Sequence, residues 1–194
     1  MGAQLNQKVI FVCTGNYYRS RLAEILFNDY ALKTALDWDA ESRGLFDRGS
    51  LKGLSPDAAQ FLLSKGFDSV DGFDKEPERL MVEDLESTKL IIILNKDEHE
   101  PIMKMKFGRV PSMLQKSGRL RYWNVYDIPA RRPAVNRIFK PHIGGEQPAI
   151  SSGEHIDFAV QVLINELQNN GFQENDVTEA HAQDGPGPRF PHNR

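Results

Sequence analysis

The chain has 194 residues and a single cysteine, Cys13. One cysteine excludes an internal disulfide framework, and a lone thiol survives best in a reducing compartment. No run of about 18 apolar residues occurs, so no segment is expected to cross a bilayer as a helix. The first residues also lack the basic-then-apolar build of a signal peptide. These absences lead us to expect a cytoplasmic protein with no membrane partner. A large excess of one charge is missing too: the formal net charge is −3. The charge is uneven, however. Residues 101–145 carry ten lysines and arginines against one acid, Asp127. Most of these cations read as a solvated basic face, while Arg131 and Arg132 are candidates for drawing anionic substrates to a site. Scattered basic residues in an overall acidic chain argue against nucleic acid as a partner.

The stretch K-V-I-F-V-C-T-G-N-Y-Y-R-S, residues 8–20, is the most informative in the chain. An apolar run ends at Cys13, five residues follow, and Arg19-Ser20 opens a helical pattern with no proline to stop it. This reads as strand, tight loop and helix start. Such a loop turns successive backbone N–H groups inward, and the helix adds the positive end of its dipole, which together suit a phosphate-sized anion. Thr14, Gly15, Asn16, Tyr17, Tyr18 and Arg19 would form the cradle, with Gly15 and Asn16 the types that tolerate positive φ. The dipole and Arg19 would lower the Cys13 thiol pKa from ~8.5 toward the range of reactive cysteines, making it a thiolate nucleophile. Arg19 offers two parallel donors to phosphate oxygens, which lysine does not. Ser20 would give its hydroxyl to the sulfur.

At these residues the sequence resembles a known family. C-T-G-N-Y-Y-R-S-R-L-A-E is similar to C-x-G-N-x-C-R-S-P-x-A-E, the signature of the low-molecular-weight protein tyrosine phosphatases, and lies as in that family just after the first strand. The resemblance implies an α/β fold: a three-layer sandwich around a four-stranded parallel sheet. It implies that Ser42, in D-A-E-S-R-G, hydrogen-bonds Asn16 and keeps the loop in shape. It also implies that N-K-D-E-H stands where the family has M-D-x-x-N, so that Asn95 replaces an aspartate.

The remaining chain alternates between strand and helix. Strands are expected at 8–12, within 36–44, at 89–94 and at 120–126, the first and third almost wholly apolar as in covered parallel sheets. Leu22, Ala23, Leu26, Phe27, Tyr30 and Ala31 recur at helical spacing. Ser55-Pro56 starts a second helix that closes at Gly66, and residues 68–78 read as a surface loop. A short helix is expected over 79–87, another from 97 to before Gly108, and a last one from a Ser151/Glu154 capping box, with Ile156, Val160, Leu163 and Leu167 on one face. Residues 1–172 would be one domain, and 173–194 a disordered tail. The loop over 130–152 is long enough to be a functional lid.

Asp127 directly follows the fourth strand. In an open parallel sheet, ligands bind outside the carboxyl ends of the strands, so Asp127 and Cys13 share an edge. The family's general acid is an aspartate in a D-P pair on this loop; here the sequence is Asp127-Ile128-Pro129, and the resemblance gives Asp127 that role. The expected function is a metal-free, cofactor-free phosphomonoesterase acting through a cysteinyl-phosphate. Its partner would be a phosphorylated protein or a small phosphomonoester, with phosphotyrosine the first expectation, phosphoarginine or another small phosphorylated compound left open, and inorganic phosphate as product. A non-catalytic phosphate-binding module and an arsenate reductase using an external thiol remain alternatives.

Overall fold

The computed structural model describes residues 6–47, 49, 52–126 and 151–173. Asp127, Arg131, Arg132 and the tail beyond Gln173 lie outside the described residues, as does most of the 130–152 loop.

The centre is a strand pair that is apolar on both faces. In β1 (Asn6–Cys13), Val9, Phe11 and Cys13 point to one side, and Ile10 and Val12 to the other. In β3 (Thr88–Ile93), Leu90 and Ile92 join the first group, and Ile91 and Ile93 the second. A strand buried on both faces has no polar side to offer solvent, so helices must cover it twice. The sheet has the order β2-β1-β3-β4, with β2 at Asp39–Gly44 and β4 at Leu120–Tyr122, and every pairing is parallel. β3 separates the first strand from the fourth. The register sets Cys13 opposite Gly44 and Val12 opposite Ile93, so the carboxyl ends of three strands finish level.

On the first face lie α1 (Arg19–Lys33), α2 (Pro56–Ser64) and α6 (Ser152–Asn170), contributing Leu22, Leu26, Leu62, Val160 and Leu163 to one core. On the second lie α3 (Val82–Ser87), α4 (Lys96–Phe107) and α5 (Val110–Lys116), contributing Leu85, Met103 and Leu114 to another. The three-layer architecture expected from the sequence is the one observed.

Local chemistry explains the helix limits. Ser55 Oγ accepts the Ala58 N–H at 3.1 Å, and Pro56 follows at the first helical position. α2 closes where Gly66 adopts φ +91° and the Phe67 N–H returns to the Leu62 carbonyl. Ser151 Oγ caps α6 through the Glu154 N–H at 3.2 Å. The Glu154 carboxylate, which a capping box would turn back, reaches Lys65 at 3.0 Å instead. Two elements differ from expectation. α5 forms where no helix was foreseen, with Pro111 in its first turn. β4 is three residues long rather than seven, because its ladder gives way to single bonds: Trp123 N–H to Ile93 O, and Val125 N–H to Leu94 O.

Candidate active site

The loop of residues 14–18 joins the level end of β1 to the start of α1 and encloses the sulfur. Cys13 is buried, and its Sγ lies 3.0 Å from Ser20 Oγ. Asn16 sits in the left-handed region at φ +50°, and its side-chain amide ties three segments together. Its Nδ2 donates to Ser20 Oγ at 3.1 Å and to Ser42 Oγ at 2.7 Å, while its Oδ1 accepts the Glu78 N–H at 2.8 Å. With Asn16 donating to the Ser20 oxygen, the Ser20 hydrogen is available to an ionised sulfur. Ser42 passes its own hydrogen to Glu24, a half-buried acid that is also paired with Arg21 at 2.9 Å and Lys75 at 2.9 Å.

β2 passes close beneath this loop. A Cβ on Gly44 would stand 3.0 Å from the Asn16 nitrogen, so the glycine permits the backbones to touch. The following residues run alongside the loop, the Leu45 N–H bonding to Cys13 O and the Phe46 N–H to Thr14 O, both at 2.9 Å. Phe46 forms part of the rim, with Lys106 Nζ 4.8 Å from its ring centroid. Tyr18 turns inward against the core over α1, and the Tyr17 carbonyl accepts from the Ser55 N–H at 3.3 Å.

The other side of the loop is held by charge. Arg19 is 2 % exposed and meets the carboxylate of Glu98 end-on, Nη1 at 2.7 Å from Oε2 and Nη2 at 3.0 Å from Oε1. Glu98 also accepts the Thr14 hydroxyl, and His99 Nε2 lies 3.0 Å from Thr14 Oγ1 and 3.3 Å from Glu98 Oε1. The His99 tautomer follows from its other nitrogen: Nδ1 accepts the Asn95 N–H at 3.2 Å, so Nε2 carries the hydrogen and donates. Contacts from His99, Arg19 and Thr14 hold the Glu98 carboxyl well below the usual carboxylate range, against the opposing effect of burial. Arg19 Nη1 also reaches the Val125 carbonyl at 3.3 Å.

The structure thus brings together Cys13, Thr14, Gly15, Asn16, Arg19, Ser20 and Ser42, with Tyr17 and Tyr18 in the same loop. Asp127 lies outside the described residues, although Val125, two positions before it, touches Arg19. Sequence reading did not find Glu98 and His99. A signal was present in N-K-D-E-H: an asparagine that caps a helix places the residue three positions on at the first turn, beside the cap. Asn95 Oδ1 does accept the Glu98 N–H, at 2.9 Å.

Comparison with known proteins agrees with this geometry. A family model described as low molecular weight phosphotyrosine protein phosphatase matches residues 8–169. A protein-arginine-phosphatase of Bacillus subtilis (strain 168) is 33% identical over 101 residues; the match spans 52% of this chain and 63% of that relative. Among solved structures, a low molecular weight phosphotyrosine phosphatase from Vibrio cholerae O395 superposes with a TM-score of 0.60 at 18% identity, covering 85% of this chain and 99% of that one. A low molecular weight protein tyrosine phosphatase from Bacillus subtilis gives 0.58 at 22% identity, covering 84% and 98%. At such identities the structural matches speak to the fold.

Proposed function

This chain belongs to the low molecular weight phosphotyrosine protein phosphatase family, and from that membership we propose that it is a cysteine-dependent phosphomonoesterase working through a cysteinyl-phosphate. One observation carries the proposal. Cys13 Sγ lies at the end of a central strand, 3.0 Å from a hydroxyl that can donate to it, in a loop whose arginine is already held in place by a carboxylate.

In the first step the Cys13 thiolate attacks phosphorus in line. The S–P bond forms as the bond from phosphorus to the ester oxygen breaks, and the leaving oxygen takes a proton. Loop amides and Arg19 bind the equatorial oxygens, where charge is concentrated as the phosphorus flattens. Ser20 donates to the sulfur, which favours the thiolate before attack and again as it departs. Asp127 is the proposed proton donor, and as a carboxylate it then takes a proton from the water that cleaves the S–P bond. The Val125 contact with Arg19 supports this assignment, because it brings the chain leading into Asp127 to the guanidinium.

Phosphotyrosine is the first substrate reading. Phosphoarginine is the second, and one observation favours it: the matched Bacillus subtilis relative is a protein-arginine-phosphatase.

The test is hydrolysis of an aryl phosphate by the wild type and by Cys13→Ser, with chelator present, from pH 5 to 8, followed by phosphotyrosine and phosphoarginine peptides. Turnover lost in Cys13→Ser is the expected result. Turnover retained would refute the covalent route, and a wild type that binds phosphate without turnover would leave a phosphate-binding module.

A further inference from the structure

Among the described residues, two positions at the start of α4 bear on what meets the charge of Arg19. Asn95 is close enough: its Nδ2 donates to the Val125 carbonyl at 3.3 Å, the same oxygen that accepts from Arg19 Nη1 at 3.3 Å. The amide nitrogen and the guanidinium are both donors on one acceptor and cannot pair with each other, and the Asn95 Oδ1 is engaged by the Glu98 N–H. The carboxylate comes instead from Glu98, one turn along α4, where the Asn95 cap fixes the backbone. Its two oxygens engage both terminal nitrogens of Arg19. Bidentate engagement fixes the plane of the guanidinium as well as its position, which a single point contact would not do.

The same carboxylate reaches the opposite end of the loop. Oε1 accepts from Thr14, the residue after the nucleophile, and His99, fully buried, donates to both Thr14 and Glu98. His99 is itself pinned by the Asn95 N–H. The first turn of α4 therefore holds Thr14 and Arg19 in one hydrogen-bonded unit, so that the residues flanking the loop at either end keep a fixed separation.

We propose that Glu98, braced by His99, is the positioning residue of this site, setting the Arg19 guanidinium and the Thr14 end of the loop in the arrangement the phosphoryl transition state needs. In its kinetic consequences this rests on the phosphatase reading; in its consequences for anion binding it does not. Glu98 acts through Arg19, and its loss misplaces the clamp while the nucleophile remains. A misplacement on the order of 1 Å costs about 100-fold in rate, so Glu98→Gln is expected to lower kcat by about 10- to 100-fold with little rise in KM.

The experiment compares wild type, Glu98→Gln and Asn95→Asp/Glu98→Gln in three measurements: kcat and KM on an aryl phosphate, the affinities for orthovanadate and inorganic phosphate, and the melting temperature. Vanadate takes up the five-coordinate geometry of the transition state, whereas phosphate is tetrahedral. The expected result is that Glu98→Gln loses vanadate affinity by about 10-fold or more while phosphate affinity changes much less. The aspartate at 95 still caps α4 and is expected to restore vanadate affinity by offering a carboxylate from the neighbouring position. Unchanged kcat and vanadate affinity in Glu98→Gln, in an active wild type, would overturn the inference and leave the enzyme reading intact. Equal losses of vanadate and phosphate affinity that follow a fallen melting temperature, without recovery in the double variant, would also overturn it, since they describe a merely structural role. A wild type without turnover that still shows the selective vanadate loss would overturn the enzyme reading and support the positioning role.

Discussion

The two sides of the phosphate loop are held by different chemistry. On the β2 side, a single amide, Asn16, makes three hydrogen bonds to Ser20, Ser42 and the Glu78 backbone, and this network meets ionised groups one step further out, at Glu24 with Arg21 and Lys75. On the β3–β4 side, an ion pair between Arg19 and Glu98 lies at the loop itself, tied to Thr14 and His99. The neutral side fixes the curvature of the loop, because it bonds the residue with positive φ. The charged side holds Arg19, the group proposed to follow the phosphorus during transfer. A neutral network is indifferent to the arrival of an anion. An ion pair at the loop has an electrostatic stake in it, since a phosphate dianion brings negative charge to an arginine already shared with a carboxylate.

The comparison can be broken from the charged side first. Arg19→Lys keeps the charge and loses the paired donors toward both Glu98 and substrate. We expect kcat/KM on an aryl phosphate to fall by about 100- to 1,000-fold with the fold intact by circular dichroism. From the neutral side, Asn16→Ala removes three hydrogen bonds from a buried residue in the left-handed region. At roughly 1 kcal/mol for each, it should lower stability by about 3 kcal/mol in denaturant titration. Here activity should fall because the folded population falls and the loop loses its curvature, so added inorganic phosphate should recover part of the stability.

A remote substitution gives the baseline for both. A Cβ on Gly153 would stand 2.5 Å from the Phe61 ring, at the contact of α6 with α2. Gly153→Ala should destabilise by about 1–3 kcal/mol while kcat per folded molecule stays unchanged, as for strain that does not reach the loop. The smallest effect is one of pH. The Glu98 carboxyl is lowered in the folded protein from 4.5. A group whose folded pKa is depressed contributes stability above its unfolded pKa and loses it as pH falls through the folded value. The difference in melting temperature between wild type and Glu98→Gln should therefore be constant above about pH 5 and shrink as the solution is acidified below about pH 4. A difference that grows on acidification would contradict the pairing.

How much of this could be read from the sequence divides along the same line. The neutral side was legible because its main members sit in one continuous motif, residues 13–20, and Ser42 follows from the family pattern. The sheet was legible because β1 and β3 are apolar on both faces, a pattern few other elements produce. The charged side was hidden because its acid lies outside the family pattern. Asn95 stands where that pattern has an aspartate, and the carboxylate that meets Arg19 comes from Glu98, three residues further on. His99 was hidden for another reason, since histidine beside an acid on a helix is ordinary until burial is known. α5 was missed because seven residues with a proline among them are too short a window for a helical period to stand out, although Pro111 and Leu114 are buried within it.

Arg19 accepts its place from a carbonyl 106 residues later in the chain, that of Val125. Ribosomes work from the amino end at about 5–20 residues per second, so the nucleophile and its arginine emerge roughly 5 to 20 seconds before that partner does. Throughout that interval Ser42, Glu78 and Glu98 arrive in turn, and the site is assembled in the order of its supports. The reactive loop is made before Ser42, Glu78, Glu98 and Val125 and is finished only when the last of them has been added, which ties its chemistry to completion of the sheet.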